Sequence, residues 1–357
     1  MPMIGFGTWG IARRDIDVSL RAAVAAGYRL FDLAPVYKNE AAVGETLTAL
    51  ISHGVVTRAD LFLTSKAPPA VACDRSELMS TVRQTLKDVR TPYLDLYLVH
   101  WPFCVRNGSP TWPPPLAYQR GYNAAQLRAT WATMEDLVSL GLVRAIGLSN
   151  LGLNRLKTLL SASDLRVPPS VLQVEHHPYN ANRALVRYCA QAKPHPIRIT
   201  AYSSLGSSER PKKYQTGQAA LLDDPAIARV AAEHGASAAT VSLAWALRHG
   251  VSIIPKSTHA ERIASNRRDA AALASRLSER QMATLDALNR DFHYLAAGWE
   301  GYAWRPGMPL EELYDDPDPP AAAWGLWTSG STLADVALYG MVVACVAGRS
   351  RRWWWPL

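Results

Sequence analysis

The chain has 357 residues, 48% hydrophobic and 19% charged, which is enough apolar material for a large core and too much for wholesale disorder. Its 38 Lys and Arg against 30 Asp and Glu leave a formal charge of +8, but only Arg349, Arg351 and Arg352 crowd together, so no nucleic-acid-binding stripe is expected. Cys73, Cys104, Cys189 and Cys345 are widely spaced with no Cys-x-x-Cys pair, a pattern that reads as reduced thiols in a cytoplasmic protein.

Short β-type runs alternate with stretches of helical periodicity. Strands are predicted at 4–6, 29–32, 61–65, 94–100, 143–149, 171–174, 197–202 and 251–255. Helices are predicted at 18–26, 40–52, 77–89, 125–139, 155–160, 183–192, 226–248 (as two helices) and 260–270. Gly27, Gly54, Gly141 and Gly250 fall just after helical stretches, where a left-handed C-cap suits glycine. Eight β/α units in a row predict a (β/α)8 barrel occupying 1–290. Residues 291–357 then form an extension rich in Trp, Tyr and Pro, including Trp299, Trp304, Trp324 and Trp327. It is expected as loops, with a possible short helix, packed on the barrel or partly disordered. The apolar run 333–348 falls short of the ~20 residues a membrane span needs, and the N-terminus lacks the pattern of a secretory leader.

Gly5-Phe6-Gly7-Thr8-Trp9-Gly10 matches the Gly-x-Gly-x-x-Gly dinucleotide fingerprint, with Asp32 downstream. In that motif the third glycine opens a helix, whereas here Ile11-Ala-Arg-Arg-Asp-Ile-Asp17 intervenes. The Rossmann reading is therefore rejected.

In a barrel of this kind, functional groups project from the C-terminal ends of the strands. Asp32 ends the second predicted strand, Lys66 follows the third, His100 ends the fourth, and Tyr37 lies in the loop after Asp32. Reduction of a carbonyl needs a hydride donor and a proton donor, and Tyr37 suits the second role. A Lys66 ammonium ~4 Å away, at an effective dielectric of about 20, would favour its phenolate by roughly 4 kcal/mol, or ~3 pK units. Asp32 would hold Lys66, and His100 would orient the carbonyl oxygen.

The chain resembles the aldo-keto reductase family in several segments. These are Gly5-Phe-Gly-Thr-Trp9, Gly27-Tyr-Arg-Leu-Phe-Asp32, Tyr37-Lys-Asn-Glu40, His100-Trp-Pro102, Ile146-Gly-Leu-Ser-Asn150, Gln173-Val-Glu-His-His-Pro-Tyr179 and Ile254-Pro-Lys-Ser257. The resemblance implies that Tyr37, Asp32, Lys66 and His100 form a catalytic tetrad and that the cofactor is NADPH, with NADP as its oxidised form. It implies that Ser149, Asn150 and Gln173 bind the carboxamide and that Tyr202 stacks on the nicotinamide. Ser203, Leu205 and Ser207 would receive the pyrophosphate, Lys256, Ser257 and Arg262 the 2′-phosphate, and Asn266 the adenine. Trp9, His100 and Trp101 would face the substrate. Ser204, Ser265 and Ala67-Pro68 depart from the common pattern.

The implied activity is NADPH-dependent reduction of small aldehydes or ketones. The alternative is a cofactor-retaining regulatory module like the potassium-channel β subunits, with little turnover. No metal site is expected from the histidine spacing, and a monomer is the default. Substrate choice is assigned to the loop 103–122 and to the chain from Phe292 onward.

Overall fold

The computed structural model describes residues 1–105, 123–207 and 220–295, together with the backbone of 119–120. Eight parallel strands form one sheet: β1 (Gly5–Gly7), β2 (Leu30–Asp32), β3 (Phe62–Ala67), β4 (Leu96–Val99), β7 (Ile146–Ser149), β8 (Val171–Glu175), β9 (Arg198–Tyr202) and β10 (Ser252–Ile253). The two strands left out of that order, β5 (Cys104–Val105) and β6 (Gln119–Arg120), pair antiparallel after β4. A parallel bridge between Ile4 and Ile253 joins the first and last strands into a (β/α)8 barrel, as the alternation of elements predicts.

The helices are α1 (Ile16–Ala25), α2 (Glu40–Ser52), α3 (Arg75–Val89), α4 (Ala124–Ser139), α5 (Leu153–Leu160), α6 (Arg183–Gln191), α7 (Pro225–His234), α8 (Ala238–Arg248), α9 (Ala260–Ala274) and α10 (Glu279–Asp286). The last of these was not among the sequence expectations. It is held at its start by Ser278 and Gln281, which cap each other's backbone, and it buries Met282 and Leu285.

Side-chain alternation along each strand divides the apolar residues into two layers. Phe31, Leu63, Tyr97, Leu148, Leu172 and Ile199 belong to the cluster shared with the helices. Leu96, Leu98 and Val171 form a second cluster, packed by Met1, Phe62 and Ala145. By the two-residue period, this second set shares a strand face with Lys66, His100, Ser149 and Gln173. The polar strand-end groups thus stand above an apolar plug. Gly147 is needed in that interior, because a Cβ there would lie 2.7 Å from Leu98 Cδ2.

Gly27, Gly54, Gly141 and Gly250 all take positive φ, as expected of left-handed caps. Gly5 and Gly7 instead lie within β1, where a Cβ on Gly7 would come 2.7 Å from the Ile254 carbonyl oxygen. Their role is close strand packing, which agrees with rejecting the dinucleotide fingerprint. The expectations for most of the 103–122 loop, for Arg349, Arg351 and Arg352, and for the chain beyond 295, including Trp299, Trp304, Trp324 and Trp327, lie outside the described residues. Among the described residues no helix is long and apolar enough to cross a membrane.

Candidate active site

Asp32 ends β2, Lys66 lies near the end of β3, and His100 follows β4. Tyr37 closes a single 3-10 turn over Pro35–Tyr37, whose proline presets the backbone after β2. Lys66 Nζ donates to Asp32 Oδ2 at 2.7 Å, to the Leu33 carbonyl at 3.0 Å and to Tyr37 Oη at 3.1 Å. All three ammonium donors are therefore used, and the Lys66 side chain is fully buried while Tyr37 is half-buried. The Tyr37 and His100 rings meet edge to face, with centroids 6.1 Å apart. The structure thus brings together the three strand-end residues and the loop residue Tyr37 singled out from sequence.

Burial works against the Lys66 charge, but Asp32 and Tyr37 outweigh it and hold its pKa above the ordinary lysine value. Burial and the Lys66 cation both push His100 well below the usual histidine value, so its imidazole is neutral at pH 7. Its Nδ1 is buried without a hydrogen-bond partner among the described residues.

Tyr37 departs from expectation. Burial pushes its phenol up to about 12, against the pull of Lys66. The sequence argument considered the lysine field alone; in the structure Asp32 sits 2.7 Å from the same ammonium and opposes that field at the phenol.

The next group surrounds this center. Ser149 Oγ donates to the Gln173 carbonyl at 2.9 Å, and Asn150 Nδ2 donates to the His100 carbonyl at 2.8 Å and to Ser149 Oγ at 3.1 Å. Asn150 adopts a left-handed φ of 59°, and Tyr202 Oη donates to its Oδ1. Gln173 Nε2 donates to Asp32 Oδ1 at 2.8 Å. One network therefore runs from Tyr202 through Asn150 to His100, and another from Gln173 through Asp32 to Lys66 and Tyr37.

After β9 the backbone folds tightly. Ser203, Gly206 and Ser207 all have positive φ, Gly206 N–H returns to the Ser203 carbonyl at 2.8 Å, and Leu205 is half-buried between them. Just past β10, Lys256 is half-buried and Ser257 buried, with Ser257 Oγ accepting from His259 N–H at 3.1 Å. Arg262 is exposed in the first turn of α9, and Asn266 is buried one turn further on. Two cations and the unpaired amides of a helix start make this end of the barrel suited to a phosphate. The donor set fits a dinucleotide: amide and hydroxyl groups and a half-buried tyrosine near Tyr37, and cations at the far end.

The model of the aldo/keto reductase family matches residues 3–290. The chain belongs to that family. It is 38% identical to aldo/keto reductase slr0942 of Synechocystis, over 88% of this chain and 94% of that one. It is 36% identical to aldo-keto reductase family 1 member A1 of mouse and of human, in each case over 83% of this chain and 88% of the relative. The family comprises oxidoreductases that act on small carbonyl compounds and generally use nicotinamide cofactors.

The two aromatic residues expected to face the substrate sit differently in this aldo/keto reductase. Trp9 is 43% exposed at the tip of a turn in which Ile11 N–H bonds the Thr8 carbonyl at 3.2 Å and Gly10 takes a φ of 72°. Trp101 is buried, 5.6 Å from Phe103 between ring centroids. Asn39, given no role from sequence, fastens the Trp9 turn: its Nδ2 donates to the Thr8 and Ile11 carbonyls at 2.9 and 3.2 Å. Its place two residues after Tyr37 was the available signal.

Glu175 was also missed as a functional candidate, although it shares a strand face with Gln173. It accepts from His177 Nε2 at 3.0 Å and from the Tyr294 and Leu295 amides at 2.6 and 3.2 Å. Burial opposes its charge, but His177 and His293 more than compensate and hold its pKa well below the usual carboxylate value. It thereby fixes the chain just after the barrel.

The expectation of four separate thiols is corrected. Cys73 and Cys104 form a disulfide, with Cα atoms 5.8 Å apart. They are 31 residues apart in sequence, but β3 and β4 are paired neighbours, so the segments that follow them emerge side by side. Cys189 is free and buried.

Proposed function

We propose that this chain is an NADPH-dependent oxidoreductase that reduces aldehydes or ketones to alcohols, with Tyr37 as general acid. The observation that carries the reading is the three-way contact of Lys66 Nζ with Asp32, Leu33 and Tyr37. Ser149, Asn150, Gln173 and Tyr202 would hold the nicotinamide end, Ser203, Leu205 and Ser207 the pyrophosphate, and Lys256, Ser257, Arg262 and Asn266 the adenosine 2′-phosphate end. When bound, the nicotinamide supplies the hydride.

Tyr37 Oη and neutral His100 hold the substrate carbonyl oxygen by hydrogen bonds, with Trp9 and Trp101 framing the apolar part of the substrate. As negative charge develops on that oxygen, Tyr37 Oη gives it a proton. A pKa of about 12 keeps the phenol protonated at neutral pH, while an alkoxide is basic enough to take the proton. Lys66, 3.1 Å away, stabilises the resulting phenolate, and Asp32 keeps the ammonium in place. The reading extends to a cytoplasmic monomer whose barrel, residues 1–290, carries catalysis and whose extension, 291–357, contributes to substrate choice.

The test is NADPH oxidation with an activated aromatic aldehyde, comparing wild type with Tyr37→Phe. Turnover should fall by about 10²–10⁴-fold, with NADPH still quenching tryptophan fluorescence. Equal turnover in both proteins would remove Tyr37 as the acid, and no turnover in wild type would reject the reductase.

A further inference from the structure

Two segments leave the mouth of the barrel together. One follows Lys66 and Ala67 and runs through Cys73 to Asp74, which caps α3 by accepting the Ser76 and Glu77 amides. The other follows His100 and runs through Trp101 and Phe103 to Cys104. Val105 N–H donates to the Pro69 carbonyl at 3.0 Å, and the disulfide joins Cys73 to Cys104. Cys73 is half-buried, whereas Cys104 is buried. Ala72, Cys73, Trp101, Phe103 and Cys104 line one small cavity, and Gln126 Nε2 at the start of α4 donates to the Cys73 carbonyl at 3.4 Å.

We propose that Cys73–Cys104 is a reversible thiol–disulfide site, opened by a dithiol reductant, that sets how firmly the segment carrying Trp101 is held over the substrate. Its effect on substrate rests on the reductase reading above; its exchange chemistry does not. The bond ties together the two segments that directly follow Lys66 and His100, the place where a cross-link reaches the substrate side without touching the residues assigned to NADPH. The unequal burial gives the exchange a direction. A thiolate of the dithiol attacks the more accessible Cys73 sulfur, the S–S bond breaks, and Cys104 leaves as a thiolate that takes up a proton. The second thiol of the reductant then attacks the mixed disulfide and releases Cys73. Two electrons and two protons pass to the protein, and the dithiol becomes its cyclic disulfide. The reverse reaction uses a disulfide oxidant. With the bond open, the Val105–Pro69 hydrogen bond still ties the two segments through their backbones.

The test uses the full chain equilibrated in dithiothreitol and its oxidised cyclic form at several ratios. Alkylation and peptide mapping by mass spectrometry should find a Cys73–Cys104 linked peptide that disappears and returns with the ratio. Reduction should speed hydrogen exchange at the Val105 amide and raise the aldehyde KM by about threefold or more, with NADPH affinity unchanged. Cys73→Ser and Cys104→Ser should each match the reduced protein and ignore the reductant, while Cys189→Ser should respond like wild type. Absence of the linked peptide at every ratio would overturn the proposal. So would a linkage that forms and breaks with no change in Val105 exchange or KM, since that is a passive staple. The wild-type titration decides the matter even if a serine variant fails to fold. Should mapping and Val105 exchange respond in a protein that reduces no aldehyde, the reductase reading falls and the exchange site stands.

Discussion

Gln173 on β8 reaches Asp32 on β2, its opposite in the eight-stranded ring, donating to Oδ1 at 2.8 Å while Lys66 occupies Oδ2 at 2.7 Å. The carboxylate is thus fixed from two directions, and the lysine it holds is fixed with it. Asp32→Asn would keep the shape but leave a buried ammonium without its counter-charge. Removing one partner of such a pair costs about 3–5 kcal/mol. We expect a lower unfolding midpoint and a kcat reduced by about 10²-fold, and an unchanged kcat would show that Asp32 has no part in tuning Tyr37.

The cations at the start of α9 make a separate claim, about cofactor choice. Lys256→Ala should weaken NADPH binding by about 10–100-fold, the value of one charge-assisted contact, and leave NADH affinity nearly unchanged. Fluorescence titration of both cofactors checks this, and equal losses would place Lys256 away from the 2′-phosphate.

Much of the architecture was legible because it is local. The α2 boundaries, Glu40–Ser52, coincide with those read from hydrophobic periodicity, and the eight strands lie where short apolar runs were found. α10 was missed because its eight residues carry only two large apolar side chains, Met282 and Leu285, although Ser278 and Gln281 are a capping signal. Asp32, Lys66 and His100 were legible from their places at strand ends, and Tyr37 from the loop that follows Asp32. What local pattern could not supply was the sum of opposing fields at Tyr37, or the meeting of Cys73 with Cys104, since both depend on which strands become neighbours.

Glu40 offers a test through pH. Burial raises its carboxyl to about 7 from an ordinary 4.5, although Ser65 and Thr85 donate to it and Lys66 opposes the shift; Asp88 adds to it. The folded protein therefore holds this proton more tightly than the unfolded chain does. Its contribution to stability is lost as pH rises from about 4.5 to about 7 and is constant above. Relative to wild type, Glu40→Gln should gain stability over that window, by an amount on the order of 3 kcal/mol. Denaturant melts at pH 4.5 and pH 8 measure the difference, and a gap independent of pH would contradict it.

Gly147 tests the packing beneath the site. An alanine there would drive its Cβ to 2.7 Å from Leu98 Cδ2 and against the Val171 backbone, so β7 and β8 would have to separate. Gly147→Ala should destabilise by about 1–3 kcal/mol and lower kcat through displacement of Ser149 and Gln173. A melting curve identical to wild type would show that the interior has room to spare.

The bridge between Ile4 and Ile253 has a consequence for the order of assembly. Tyr37, Lys66 and His100 are placed by contacts among β2, β3 and β4, all within the first hundred residues, whereas closing the ring waits for β10. A nascent chain on the ribosome can set the spacing of its future proton donor early, yet it carries β1 as a bare hydrogen-bonding edge until about 150 residues more have followed. Chaperone dependence during synthesis should therefore trace to that late seam and not to the chemistry-bearing third of the molecule.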